Sequence, residues 1–384
     1  MPYEICRLGA GDYEEAIDFI NLVFSLEHQP TDFPKLLPVY YQPTEKHMSC
    51  HHVVRADGRI RALVGIYPGR MIVGDTTLTV ARIGAVSSHP SYRGQGMMKE
   101  LMGHCMDLVA QGGYDLGYLG GYRHRYRYFG FEKCGHRIVY HFNESNIRHG
   151  GVPSGTVDIR PVSGDDPTLI AYFQALHDRQ PLRYSRPAED FHAICLNWKN
   201  KLFAIERQGS PAGYIVASPS GGHIAEMHAE SPEIALEAIA AFMASVGGEG
   251  VTLAVSPLDL ELHRRLGEVA ERPLAEGVDN WRVLNWDTVL NAFLSVKNAV
   301  LPLQEGTVTL GIERYGSLRL TVKDGAASCA RTEDAAAMQI DSAAAARLLF
   351  GPLPPSFVAR LPQEASVMEN WCPLPLYASA PDFA

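Results

Sequence analysis

Between Val86 and Met98 the chain reads Val-Ser-Ser-His-Pro-Ser-Tyr-Arg-Gly-Gln-Gly-Met-Met, the pattern of a strand that turns through Arg93-Gly94-Gln95-Gly96 into an amphipathic helix. Such a turn aims several unpaired backbone N–H groups at one spot, and the positive end of the helix dipole adds to them. The chemistry on offer is anion binding, on the scale of a phosphate or pyrophosphate. Glycine lets backbone approach an anion with no Cβ in the way, although a Gly-x-Gly also occurs in ordinary strand-to-helix turns. No Gly-Lys-Ser/Thr follows, which excludes a P-loop. Position 99 is Lys where a dinucleotide fingerprint needs its third glycine.

Two further stretches carry chemistry-bearing types. In Leu119-Gly-Gly-Tyr-Arg-His-Arg-Tyr-Arg-Tyr-Phe-Gly-Phe131, Tyr126 stands three residues before Phe129-Gly130-Phe131, between the neighbouring tyrosines Tyr122 and Tyr128. Arg123, His124, Arg125 and Arg127 make a short basic patch there, able to meet phosphates or to be a solvated face. The chain ends Trp371-Cys-Pro-Leu-Pro-Leu-Tyr-Ala-Ser-Ala-Pro-Asp-Phe-Ala384, apolar and aromatic with no charge before Asp382. A frayed terminus is not composed this way. His47 and His51, four apart beside Glu45, Cys50 and His52, straddle a strand entrance where that spacing does not converge. No metal site is expected.

The elements that must position these residues follow from periodicity. Asp12 and Glu15 resemble a capping box ahead of Ala16, Ile17, Phe19, Ile20, Val23 and Phe24 at helical spacing. Strands are predicted around His51–Arg55, Arg61–Pro68, Met71–Val73, Leu78–Ser87 and Leu116–Gly121, with Asp57-Gly58 as a hairpin turn. The helix after the glycine turn ends at Gly112-Gly113. A Gly-Gly-Val-Pro-Ser-Gly linker at 150–155 opens a second region with helices at Pro167–His177, Pro187–Asn197 and Ile234–Val246 and strands at Leu202–Glu206 and Ala212–Ala217. Its order of elements echoes the first region without the glycine turn. From Trp286 a third composition begins: strands Thr307–Glu313 and Ser317–Lys323 joined at Tyr315-Gly316, then a helix from Asp341 that stops at Gly351.

The chain has 384 residues, 46% of them hydrophobic, enough for two or three cores. Its net charge of −9 and lack of a basic block exclude nucleic acid as an expected partner. Seven cysteines stand singly, without Cys-x-x-Cys spacing, as in a protein with reduced thiols. No signal-peptide order and no run of eighteen apolar residues occur, so a cytoplasmic protein without a membrane span is expected.

Arg93-Gly94-Gln95-Gly96-Met97-Met98 resembles the acetyl-coenzyme A signature Arg/Gln-x-x-Gly-x-Gly/Ala of the GNAT N-acetyltransferases, with Met98 in place of the usual Gly or Ala. Tyr126-x-x-Phe129-Gly130-Phe131 is similar to the corresponding string of the enhanced intracellular survival (Eis) family within that superfamily. The resemblance extends over the whole chain. It implies an α+β (α/β) fold of two tandem GNAT-like domains, each a mixed central sheet with flanking helices, and a C-terminal α+β domain similar to sterol carrier proteins. The boundaries expected are 1–148 for the catalytic domain, 149–285 for a degenerate copy and 286–384 for the carrier-like domain.

Acetyl-coenzyme A is the co-substrate implied, with no metal. Backbone of Val86 and Ser88 would hold the pantetheine arm as an added strand, and N–H groups of Arg93, Gly94, Gln95, Gly96, Met97 and Met98 the pyrophosphate. Tyr126 would be the general acid that protonates the departing thiolate, and the carboxylate of Ala384 the base. Phe24 and Glu27 fall where the superfamily places its acceptor-lining loop, and an acid there suits a cationic amine. The function implied is direct acetyl transfer to a primary amine of an aminoglycoside, polyamine or lysine-like acceptor, in a homo-oligomer, often a hexamer among relatives. The alternative is a non-catalytic protein that binds an acyl-coenzyme A or lipid.

Overall fold

The computed structural model describes residues 3–27, 30–247, 250–277 and 279–383. Alternating apolar residues build five strands near the N-terminus: β1 (Glu4–Arg7), β2 (His51–Ala56), β3 (Arg59–Val73), β4 (Thr76–Ser88) and β5 (Leu116–Leu119). They lie in the order β1-β2-β3-β4-β5, antiparallel up to β4, and β5 then runs parallel to β4. A parallel neighbour needs a crossover, and the Met97–Gln111 helix supplies it. That helix buries Met97, Leu101, Met102, Cys105, Met106 and Val109 on one face of the sheet. The Tyr13–Glu27 helix buries Ala16, Ile17, Phe19, Ile20 and Val23 on the other.

One prediction is corrected here. Arg61–Pro68 and Met71–Val73 are a single strand, β3, which runs straight through Pro68 and Gly69. Pro68 lacks an N–H, but β2 has stopped pairing at Gly65 and Leu182–Tyr184 begins pairing only at Met71. The proline therefore occupies an uncovered stretch of edge, where no ladder bond is lost. Similarly, the helix expected over 187–197 shortens to Phe191–Cys195, because Trp198 and Lys199 turn to positive φ immediately afterwards.

A second sheet has the order Arg272–Gly277, His136–Phe142, Val251–Val255, His223–Ala229, Ser210–Ala217, Lys201–Arg207, Asp158–Pro161. Read from Asp158–Pro161, it repeats the first sheet's sequence of directions: an antiparallel ladder, one parallel pair across a helix (Pro232–Val246), then antiparallel strands. The two sheets also exchange strands. Asn280–Val283 lies beside β5 in the first sheet, followed by Glu132–Lys133, while His136–Phe142 takes the matching place beside Val251–Val255. The exchange crosses the expected boundary at 148 in both directions, since His136–Phe142 joins the second sheet and Asn280–Val283 the first. A third, four-stranded sheet of residues 306–340 is covered by the Trp286–Val300 and Ser342–Phe350 helices. The whole is a mixed α+β fold, and among the described residues no helix is long and apolar enough to cross a membrane.

Trp281, on the exchanged strand, is 1% exposed and meets the Tyr118 ring edge-on at 4.8 Å. Trp281→Ala should destabilise the protein by about 3–5 kcal/mol in chemical denaturation, the usual cost of emptying an aromatic core position.

Candidate functional site

β4 and β5 pair from Val80↔Leu116 to Ile83↔Leu119 and no further. β4 continues to Ser88 with β3 on one side and, among the described residues, no strand on the other, so Gly84–Ser88 present a free edge. Within that edge lies a β-bulge. Gly84 opposes Gly65 and Ser87 opposes Leu63, leaving Ala85 and Val86 across from Val64 alone, with Ala85 at φ 52°. Val86 and Ser88, the residues expected to hold an extended ligand, both lie on this edge.

The glycine turn follows. Gly94 and Gly96 have φ of 77° and 83°, and Gly96 caps the Met97–Gln111 helix without a side-chain bond. Side chains other than glycine rarely adopt this conformation. Nothing lies within 4 Å of where a Cβ on either residue would stand. Among the described residues, the N–H groups from Gly94 through Met98 have no acceptor. Met97 is buried and Met98 packs against the same core, so neither fills the space over the glycines. Arg93 donates from Nη2 to Glu27 Oε1 at 2.6 Å, a pair half-exposed on both sides. Glu27 is thus neutralised at the turn, and Phe24 packs edge-on against Phe33 at 4.8 Å.

Tyr126 closes the short Arg123–Tyr126 helix beyond β5. Its ring lies over the backbone of Gly121, where an added Cβ would stand 3.1 Å from Tyr126 Cε2. Among the described residues its hydroxyl has no hydrogen-bond partner, and burial raises its pKa against the opposing charge of Arg125. Tyr126 packs with the core under the Met97–Gln111 helix. Nearby, Arg123 and Arg347 bond to buried Glu132, with Arg127 at 3.8 Å, so much of the basic patch is structural.

The tail arrives on the other face. Phe383 stacks on Tyr118 of β5, centroids 5.1 Å apart. Ala384, expected to carry the basic carboxylate, lies outside the described residues. The Phe383 carbonyl accepts from Trp198 Nε1 at 3.3 Å, that of Pro381 from Asn197 at 2.8 Å, and that of Asp382 from Arg82 Nη1 at 3.2 Å. Asp382 itself is 3% exposed and takes a two-pronged bond from Arg186, at 2.8 and 2.9 Å. Arg186 uses its remaining donors on Glu226, at 2.9 and 2.6 Å, and Tyr214 adds a bond to the same carboxylate at 2.6 Å. None of Arg82, Arg186, Glu226 and Asp382 was singled out from the sequence. No local spacing links them, since Arg186 and Asp382 are 196 residues apart.

The histidines predicted not to converge do not. His51 is buried, with Nδ1 3.2 Å from the Met48 carbonyl and Nε2 2.9 Å from the Tyr67 hydroxyl. A carbonyl only accepts, so Nδ1 carries the proton and Tyr67 donates to Nε2. His47 instead contacts the Thr44 hydroxyl at 2.6 Å.

Residues 4–134 match the acetyltransferase (GNAT) domain. An acetyltransferase enzyme is what this match supports, and the domain uses acyl-coenzyme A substrates. No curated protein matches the chain. Solved structures resemble it over its length: a GCN5-related N-acetyltransferase from Anabaena variabilis (TM-score 0.70, 15% identity, 100% of both chains) and one from Kribbella flavida (0.67, 18%, 100% of both). Eis1 from Mycobacterium abscessus is similar at TM-score 0.66 and 13% identity, over 99% of both chains. At such identities the likeness is one of fold, and it includes the sheet whose free edge and glycine turn are described above.

Burial by itself would raise the Glu226 carboxyl, but the charge and hydrogen bonds of Arg186 hold it well below its ordinary 4.5. A depressed folded-state value gives stability that is present above the unfolded value and lost as pH falls through the folded one. Denaturation midpoints should therefore fall on acidification below about pH 4.5. Arg186→Leu, which strands two buried carboxylates, should lower stability at neutral pH by about 3–5 kcal/mol and flatten that acid dependence.

Proposed function

We propose that the chain is an acetyl-coenzyme A-dependent N-acetyltransferase of the Eis family that moves acetyl directly to a primary amine. One observation carries this reading. Where β4 leaves β5, an unpaired strand edge leads into a turn of unused amide donors, and an unpartnered tyrosine and an anchored tail flank the gap from opposite faces. In this reading the pantetheine arm pairs with Val86–Ser88 and the amides of Gly94 through Met98 receive the pyrophosphate, the Arg93 N–H being used on the Pro90 carbonyl at 3.3 Å. Met98 is compatible with this role because its side chain packs into the core.

The acceptor nitrogen attacks the thioester carbon, the C–S bond breaks, and the sulfur takes a proton from Tyr126. A raised pKa keeps Tyr126 protonated until the thiolate forms. The amine's proton leaves toward the face of β5 on which Phe383 stacks, with the Ala384 carboxylate as the proposed base. Cys105, Cys134, Cys195, Cys329 and Cys372 are buried with raised pKa values, as suits transfer without an acyl-enzyme. Phe24 and Glu27 are the proposed acceptor-lining residues, Glu27 standing in a half-exposed pair with Arg93, and positioning supplies much of the rate. The repeated strand order supports tandem GNAT-like domains, and the last sheet with its two helices supports a unit similar to sterol carrier proteins. The family further suggests a cytoplasmic homo-oligomer and aminoglycoside, polyamine or lysine-like acceptors.

Tyr126→Phe should lower kcat by about a hundredfold or more while coenzyme A binding, read by calorimetry, stays within twofold. Unchanged turnover would remove Tyr126 from the mechanism, and coenzyme A binding without turnover in the wild type across an amine screen would favour the non-catalytic alternative. Adding a few residues after Ala384 tests the tail independently. The expected result is a loss of kcat with little change in the acetyl-coenzyme A KM, whereas full activity would exclude a terminal carboxylate base.

A further inference from the structure

The second sheet has its own divergence. His223–Ala229 and Val251–Val255 pair only at His223↔Thr252 and Ile224↔Leu253, then part. The helix that follows begins with Ser231 capping the Ile234 N–H, so this divergence has no open glycine turn. Between the parting strands lies a cavity of about 40 Å³, bordered by Met227, His228, Leu253 and Ala254 from the strands, His177 from the Pro167–Asp178 helix, and Asp382 from the tail. A void that size, lined in part by polar groups, is room for an ion or a water, each needing several polar partners.

The protonation of His177 can be read from its contacts. Its Nε2 lies 2.9 Å from the Tyr184 carbonyl, which only accepts, so Nε2 carries the hydrogen. Nδ1 then presents a lone pair. That atom is fully buried and without a hydrogen-bond partner, and it faces Glu226 Oε1, another acceptor, at 4.0 Å. A ring nitrogen of His228 completes the group, with all three donor atoms within 4.8 Å of one another. Two ring nitrogens and a carboxylate oxygen this close together, one of them a buried lone pair without a partner among the described residues, suit something electron-poor between them. Glu226 Oε1 also accepts from Arg186 Nη1 and the Tyr214 hydroxyl, but that single guanidinium is shared between two carboxylates, Glu226 and Asp382.

We propose that His177, Glu226 and His228 form a binding site for a divalent transition-metal ion of the zinc class, lying in the second sheet's divergence beside the tail. Two imidazoles and one carboxylate are a donor set zinc accepts, and the cavity leaves a position for water. The Nε2–H bond of His177 to a backbone carbonyl is the outer support that ligating histidines use to fix their tautomer. Contraction of the three donor atoms by roughly an ångström would bring them to zinc-ligand spacing.

The test uses the full chain, stripped of metal and titrated with Co²⁺, followed by calorimetry and visible absorption. One equivalent should bind with the intense visible bands of a four-coordinate site. His177→Ala, or His228→Gln should the first variant fail to fold, should weaken binding by more than the 10–100-fold typical of losing only an outer partner. Failure of the wild type to take up one equivalent overturns the proposal and leaves a water-filled cavity. Unchanged affinity and spectrum in His228→Gln overturns it equally. Neither result bears on acetyl transfer, which is read separately.

Discussion

The buried guanidinium of Arg186 holds the molecule's functional geometry together. It follows Leu182–Tyr184, which pairs with β3 of the first sheet, and it closes on Asp382 at the far end of the chain and on Glu226 in the second sheet. A buried ion pair contributes little net stability compared with apolar packing, because desolvation cancels much of the attraction, but an unpaired buried charge is costly. The consequence is specificity of placement. With both carboxylates satisfied only when the tail is home, the last described residues have one low-energy position, against Tyr118 at the end of β5. The backbone bonds from Arg82, Asn197 and Trp198 then fix its path.

That anchoring matters because of where β5 stops. A parallel pair that ends after four residues, while one partner runs on, leaves unsatisfied ladder groups that globular proteins rarely leave idle. Here the idle edge is continuous with an idle helix N-terminus, and Tyr126, packed on the same core, has a hydroxyl without a partner among the described residues. The pleat of β5 separates the two sides: Tyr118 points toward the tail, and Leu119 toward the core that Tyr126 joins. A reaction that takes a proton away on one face and delivers one on the other is served by such a partition. Strand exchange stiffens it, since Asn280–Val283 lines β5 and cannot shift without moving the second unit.

Legibility in the sequence tracked the range of the interactions. The glycine turn, its helix and the Tyr126 string were readable because their physics is local: positive φ at Gly94 and Gly96, an apolar face at helical spacing, turn residues between strands. The break predicted at Pro68 was wrong because proline's effect depends on whether a neighbouring strand is present, which no window of sequence contains. Glu27 was read as lining an acceptor site, and its Arg93 partner, 66 residues away in the chain, has no local signal. Arg186, Arg82 and Glu226 were invisible for the same reason, as ordinary charged residues until the tail arrives. The exchange of His136–Phe142 with Asn280–Val283 is a pairing choice between two similar sheets, and short strands of similar pattern do not encode it locally.

The two divergences show how one architecture yields different chemistry from its fillings. In the first sheet the gap stays open because glycines keep side chains out and the helix start is uncapped. In the second, Ser231 satisfies the helix start, Pro232 removes a donor, and the side chains of His177, Glu226 and His228 enter the gap. On the proposed readings, the first gap offers free amide donors to an anion, and the second offers ring nitrogens and a carboxylate to a cation. The tail contacts both: Phe383 rests on a strand of the first, and Asp382 borders the second through Arg186. Any change of charge in the second divergence therefore acts on the carboxylates that hold the tail, and through the tail on the face of β5 where the acceptor must arrive.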